Sequence, residues 1–95
     1  MAKEKPESLS ENDIIFSAQA SQDYDYWAES NTKILQKIND LIDSILATPF
    51  AGIGKPEPLK FELGGCWSRR INQQHRLVYR IKNRKLEIIS CRYHY

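Results

Sequence analysis

The stretch Trp67-Ser68-Arg69-Arg70-Ile71-Asn72-Gln73-Gln74-His75-Arg76-Leu77-Val78-Tyr79-Arg80-Ile81 decides the fold. It reads as two β-strands, about 66–72 and 75–81, joined by a polar turn at Asn72-Gln73-Gln74. Side chains alternate between faces along a strand. Trp67 and Ile71 therefore share one face of the first strand, and Leu77, Tyr79 and Ile81 share one face of the second. Bringing the apolar faces together places Arg70 and Arg76 side by side on the opposite face. That register needs a connection of odd length, because a two-residue loop would send the two arginines to opposite faces. Arg69 then points to the apolar side, where a guanidinium requires a carboxylate partner or a route to solvent.

Toward the C-terminus, Lys82-Asn83-Arg84 is a hairpin turn leading to a third strand, about 86–92. Its parity is ambiguous, since Leu86/Ile88 and Ile89/Cys91 are both apolar pairs. The chain ends in Cys91-Arg92-Tyr93-His94-Tyr95, a cation, two aromatic rings and an imidazole. Histidine has the only side chain whose unperturbed pKa lies near neutrality.

Toward the N-terminus, residues 49–60 (PFAGIGKPEPLK) hold three of the four prolines and two of the glycines. They form a loop, and 59–63 is a candidate for one further strand. Before them, Ile34, Leu35, Ile38, Leu41, Ile42, Ile45 and Leu46 trace the apolar stripe of a helix. Asn31 or Thr32 caps its start and Thr48-Pro49 ends it. An earlier helix carries Ala20, Tyr24, Trp27 and Ala28 on one face, with Ser17 as its cap. The link between the helices is so short that they pack as an antiparallel hairpin. Ile14-Ile15-Phe16 is a short strand, and residues 1–12 read as a flexible polar tail before a single domain at 13–95. The fold class is α+β: a short N-terminal strand, then a two-helix hairpin packed on one face of an antiparallel sheet. The other face is left free.

The chain has 95 residues and a net charge of +2. From Cys66 onward there are eight Lys or Arg (69, 70, 76, 80, 82, 84, 85, 92) against one acid, Glu87. Before Cys66 the count is six against eleven. A basic C-terminal third suits a polyanionic partner, and a solvated charged face is the plainer reading. No apolar run is long enough for a signal peptide or a membrane span. Cys66 and Cys91 read as small buried hydrophobes in a reducing cytoplasm. Two Cys and two His without ligand spacing argue against zinc, and no cofactor is expected.

Two arginines on an open face, a carboxylate in Pro56-Glu57-Pro58 and a terminal His94 form a set suited to RNA cleavage. The 2′-hydroxyl of RNA is a built-in nucleophile, so the enzyme supplies a base, an acid and cations for the phosphate. Glu57 or His94 can transfer protons, Lys60, Arg70 and Arg76 can supply charge, and Tyr93 and Tyr95 can stack bases. Each also has a plain reading as a solvated loop or sheet residue, and His75 beside the turn is read as structural.

Five stretches carry a resemblance to a known family. They are Thr48-Pro49-Phe50, Gly54-Lys55-Pro56-Glu57-Pro58-Leu59-Lys60, Trp67-Ser68-Arg69-Arg70-Ile71, His75-Arg76-Leu77-Val78-Tyr79 and Cys91-Arg92-Tyr93-His94-Tyr95. With them the chain resembles the YoeB toxins of the RelE/ParE superfamily, from about Ile14 to Tyr95. The resemblance implies a RelE-like, microbial RNase-like fold and an mRNA interferase, metal-independent, that cuts messages in the A site of the small ribosomal subunit. It implies Glu57 as general base, His94 as general acid and Arg76 on the transition-state phosphate, with Lys60, Arg70 and Tyr95 binding substrate. It also implies a YefM-like antitoxin, operator DNA bound only through the complex, and a homodimer. The rival is a ParE-like toxin that binds DNA gyrase and needs no Glu57/Arg76/His94 set.

Overall fold

Asn31 divides one helical run into two. It closes helix α1 (Ala18–Ser30) and caps helix α2 (Thr32–Ala47), with its side chain accepting from the Lys33 and Ile34 amides at 3.1 and 3.2 Å. A computed structural model describes residues 9–93 of this arrangement; residues 1–8, His94 and Tyr95 lie outside the described residues. Ser17 caps α1, accepting from the Ala20 amide at 3.0 Å. From α2, Ile38, Leu41, Ile42, Ile45 and Leu46 are buried, as the stripe predicts. From α1, Ala20, Asp23 and Trp27 are buried, whereas Ala28 faces solvent. Leu9 and residues 10–12, assigned by sequence to a tail, are ordered against the domain, with Leu9 packed on the core. The Leu9 amide donates to the Leu46 carbonyl at 2.9 Å, and Glu11–Asp13 form a 3₁₀ turn.

The helices cover a five-stranded sheet in the order β1-β5-β4-β3-β2: β1 (Ile14–Phe16), β2 (Glu57–Pro58), β3 (Trp67–Arg70), β4 (Arg76–Lys82) and β5 (Lys85–Ser90). The sheet is mixed and not wholly antiparallel, because β1 runs parallel to β5 with Ile14 opposite Leu86. Side-chain alternation is the same for either strand direction, so the sequence pattern is silent on it. The further strand is not at 59–63: it is Glu57–Pro58, and Phe61–Leu63 is a 3₁₀ turn. Pro58 lacks an N–H, which an edge strand tolerates. The turn between β4 and β5 has two central residues, Asn83 (φ 54°) and Arg84 (φ 61°), the doubly left-handed turn that matches strand twist.

A bulge resolves the ambiguous parity of the last strand. Val78 pairs with Ser90 but Tyr79 pairs with Ile88, so β5 carries one extra residue at this point. Leu86, Ile88 and Cys91 all reach the core, although an unbroken strand would turn Cys91 away from the other two.

Arg69 corrects the sequence reading most sharply. Its side chain is fully buried, and it has no carboxylate partner among the described residues. Backbone carbonyls receive it instead. Nη2 donates to the Thr48 and Ala51 carbonyls, both at 2.8 Å, and Nη1 to the Ile53 carbonyl at 3.1 Å and Ser44 Oγ at 2.7 Å. Nε donates to the Tyr79 hydroxyl at 3.2 Å, which itself donates to the Pro49 carbonyl at 2.6 Å. The loop after α2 is thus wrapped around a guanidinium. Gly52 (φ +122°) permits the wrap, since a Cβ there would lie 2.4 Å from Ser44 Oγ.

Two stability predictions follow from these contacts. Arg69→Met strands several buried acceptors at about 1–3 kcal/mol each. Urea unfolding is expected to show a loss of about 3 kcal/mol or more, and a loss under 1 kcal/mol contradicts the cradle. Cys91 is buried beside Asp23, and burial first, then that carboxylate, pushes its thiol up from 9.0 to about 12. Above pH 9 the unfolded chain loses a proton that the folded protein keeps, so stability falls as pH rises toward 12. The slope from this group is about 1.4 kcal/mol per pH unit. Relative to Cys91→Ala, the wild type should lose stability over this range; parallel pH profiles would refute it.

Candidate active site on the second sheet face

Residues directly opposite across paired strands share a face. Glu57 is opposite Ser68, Ser68 is opposite Val78, and Arg70 is opposite Arg76. The register derived from the polar turn therefore holds, and Glu57 joins the two arginines on the face away from the helices. The connection is odd in length: Ile71 donates to the His75 carbonyl at 3.0 Å across the turn 72–74. This face is partly covered, with Ser68 and Val78 buried near its centre.

At its rim, Arg76 Nη1 lies 3.9 Å from Glu57 Oε1. That is an ion pair too long for a hydrogen bond. Nη1 is buried and has no hydrogen-bond acceptor among the described residues. An orphan cationic donor is costly in a native fold, and it stands beside an exposed carboxylate on the strand edge. The pair holds a base and a preorganised cation with one donor left over. A phosphate oxygen would satisfy that donor.

The remaining predicted residues are placed as follows. Arg70 is exposed next to Arg76. Lys60 is exposed just past β2, where the Leu59 amide donates to the Cys66 carbonyl at 2.9 Å, and no ion pair among the described residues includes it. His94 and Tyr95 lie outside the described residues. The chain leading to them is firmly held. Asp23 Oδ2 accepts from the Cys91 amide at 3.0 Å, and Trp27 Nε1 donates to the Cys91 carbonyl at 2.9 Å. Arg92 stacks on the Tyr26 ring at 3.5 Å and on the Tyr93 ring at 4.5 Å. The Tyr93 amide donates to His75 Nδ1 at 2.7 Å, and the Arg76 amide to the Tyr93 carbonyl at 3.3 Å. His75 is buried and structural, as expected, with its ring edge-on to Trp27.

Sequence reasoning missed Asp23 as a holder of this segment. The available signal was an acid one turn before Trp27 on a helix face otherwise facing the core. It also missed Lys37 and Lys55, which line a groove with Arg70 and Arg76. Two other ion pairs are present among the described residues: Arg80 with Glu87, and Lys85 with Asp13 at 3.6 Å. The Arg80 contact lowers the Glu87 carboxyl and raises the guanidinium. Among the described residues, no group of three or more His, Cys, Asp or Glu is arranged to hold a metal, and no helix is long and apolar enough to cross a membrane.

A two-helix hairpin on a mixed five-stranded sheet is the build of a RelE-like toxin. The family described as "YoeB-like toxin of bacterial type II toxin-antitoxin system" matches residues 16–95. Toxin YoeB of Escherichia coli (strain K12) is 52% identical over 82 residues, spanning 86% of this chain and 98% of that protein. Among solved structures, a YoeB–YefM complex from Staphylococcus aureus superposes with a TM-score of 0.82 at 49% identity, over 92% of this chain and 98% of that one. A YoeB dimer from the same species gives a TM-score of 0.81 at 49% identity, over 87% and 97%. The chain belongs to the YoeB-like toxin family and is a toxin of a bacterial type II toxin–antitoxin system.

Removing the orphan donor isolates its role. Arg76→Met deletes an unsatisfied buried group, so its unfolding free energy in urea should fall by less than about 0.5 kcal/mol or rise. A loss above 2 kcal/mol would instead make Arg76 a structural residue.

Proposed function

We propose that this toxin is a ribosome-dependent endoribonuclease that cleaves mRNA in the ribosomal A site and so stops translation. The observation that carries the reading is the buried, acceptor-less Nη1 of Arg76 beside Glu57 on the second sheet face. In this reading Glu57 takes the proton of the RNA 2′-hydroxyl, and the freed oxygen attacks the adjacent phosphorus. Arg76 donates to a non-bridging oxygen as negative charge builds in the transition state. The bond to the 5′-oxygen breaks, and His94 protonates that leaving oxygen. Lys60 and Arg70 hold the strand electrostatically, and Tyr95 positions a base. No metal is required, because the nucleophile is intramolecular and the charge is met by guanidinium.

The partner in this reading is a YefM-like antitoxin, as the relative solved with YefM supports, and masking of the site by it is part of the proposal. Operator DNA is met only through that complex, and the cytoplasm is the place of action. A homodimer is the proposed free state, on the strength of the dimeric relative. The ParE-like gyrase binder is the less favoured reading, since it leaves the Glu57–Arg76 pair without a task.

Mapping cleavage on a translated message, with and without ribosomes, tests the proposal. Cuts within occupied codons are expected, and Glu57→Gln and Arg76→Ala should each slow them by about 10²–10⁴-fold. Intact messages beside arrested translation, or lost gyrase supercoiling with uncut RNA, would overturn the assignment.

A further inference from the structure

A groove of ≈ 520 Å³ beside Arg76 is lined by Lys37, Lys55 and Arg70 together with Gly54 and the buried Ile71. Its cations come from separate parts of the chain: Lys37 from α2, Lys55 from the loop after it, Arg70 from the end of β3 and Arg76 from the start of β4. Among the described residues no Asp or Glu lines it. None of Lys37, Lys55 and Arg70 has an ion-pair partner among the described residues, so what sets them apart is their convergence on one groove. Gathering like charges without a counter-charge is unfavourable unless an anion completes the site.

The backbone around Lys55 is built, not incidental. Lys55 adopts φ 53°, a left-handed conformation that non-glycine residues seldom take. Gly54 before it (φ +83°) packs so tightly that a Cβ would lie 2.6 Å from Leu41 Cδ2. The Gly54 carbonyl accepts from the Arg70 amide at 2.7 Å, which locks the loop to the end of β3. The fold thus spends a strained residue on carrying the Lys55 side chain beside Arg70.

We propose that Lys37, Lys55 and Arg70 form a second phosphate subsite that takes the RNA backbone next to the phosphate at Arg76. The proposal rests on the reading of Glu57–Arg76 as the cleavage site. Continuity with Arg76 favours a nucleic-acid strand, since successive phosphates then meet successive cations. An acidic peptide is the competing occupant. Cation clusters also recognise acidic peptide motifs, but such a peptide gives no reason for the groove to begin at Arg76, beside Glu57.

The test uses the full-length toxin and a short single-stranded RNA of uniform 2′-O-methyl ribose, which cannot be cleaved. Lys37→Gln/Lys55→Asn removes two charges, and Asn suits the left-handed position. Binding by fluorescence anisotropy across a salt series should weaken, and the slope of log affinity against log salt should fall by about 0.7 for one lost phosphate contact. Lys33→Gln/Lys82→Gln, with the same charge change elsewhere, should keep the wild-type slope. Equal slopes for the two double variants overturn the subsite, as does RNA binding that is unchanged while binding of a poly-aspartate peptide is lost. Uncleaved messages in a translating extract would count against the nuclease reading alone, because the anisotropy measurement does not depend on cleavage.

Discussion

The buried guanidinium of Arg69 is the constraint on which the remaining arrangement depends. A charge taken into a protein interior must be compensated, and here carbonyls of the loop after α2, not a carboxylate, compensate it. The loop consequently has little freedom. It must pass close enough to β3 for its carbonyls to converge, and Gly52 lies where any side chain would collide with Ser44. From that fixed point the chain runs through Gly54 and Lys55 to β2, which delivers Glu57 to the sheet edge. A neutral side chain at position 69 could not order the loop in this way. Arg69 and Arg70 are thus neighbours in sequence on opposite faces: Arg69 points inward to hold the loop, and Arg70 lies exposed on the open face with Arg76.

The C-terminal segment is held by a second set of contacts, made by side chains of α1. Asp23 and Trp27 engage the amide and the carbonyl of the same residue, Cys91, one on each side. His75 then takes the Tyr93 amide. Three buried or half-buried polar groups are satisfied by one short stretch of backbone, which accounts for their presence in an otherwise apolar layer. The result is that a chain end, ordinarily the loosest part of a fold, is bound at successive residues beside Arg76.

Against these two anchored segments, the Glu57–Arg76 pair is left loose. Its separation exceeds hydrogen-bond reach, and a buried donor goes unused. On the same sheet Arg80 is held close against Glu87, and no other buried side-chain polar atom among the described residues lacks a hydrogen-bond partner. Contrast within a single fold is informative: a place where the rules of stability are not met is where a ligand is expected to meet them. The groove toward Lys37 and Lys55 extends that logic from one unsatisfied donor to a row of uncompensated cations.

Much of this was legible from local pattern. Period 3.6 defined both helices, their caps and their buried stripe, because those depend only on neighbours along the chain. Period 2, with the odd polar turn at Asn72-Gln73-Gln74, determined that Arg70 and Arg76 lie together, since parity is a property of the strand itself. Charge distribution marked the basic face. Other features only tertiary structure decided. The parallel direction of β1, the bulge at Ile89 and the edge strand at Glu57 concern pairing between distant segments, and alternation is blind to all three. The carbonyl cradle of Arg69 was likewise invisible, because backbone acceptors belong to every residue and leave no mark in the side-chain sequence. The same holds for Lys37, which shares a groove with Arg70 only because α2 and β3 are brought together by the core between them.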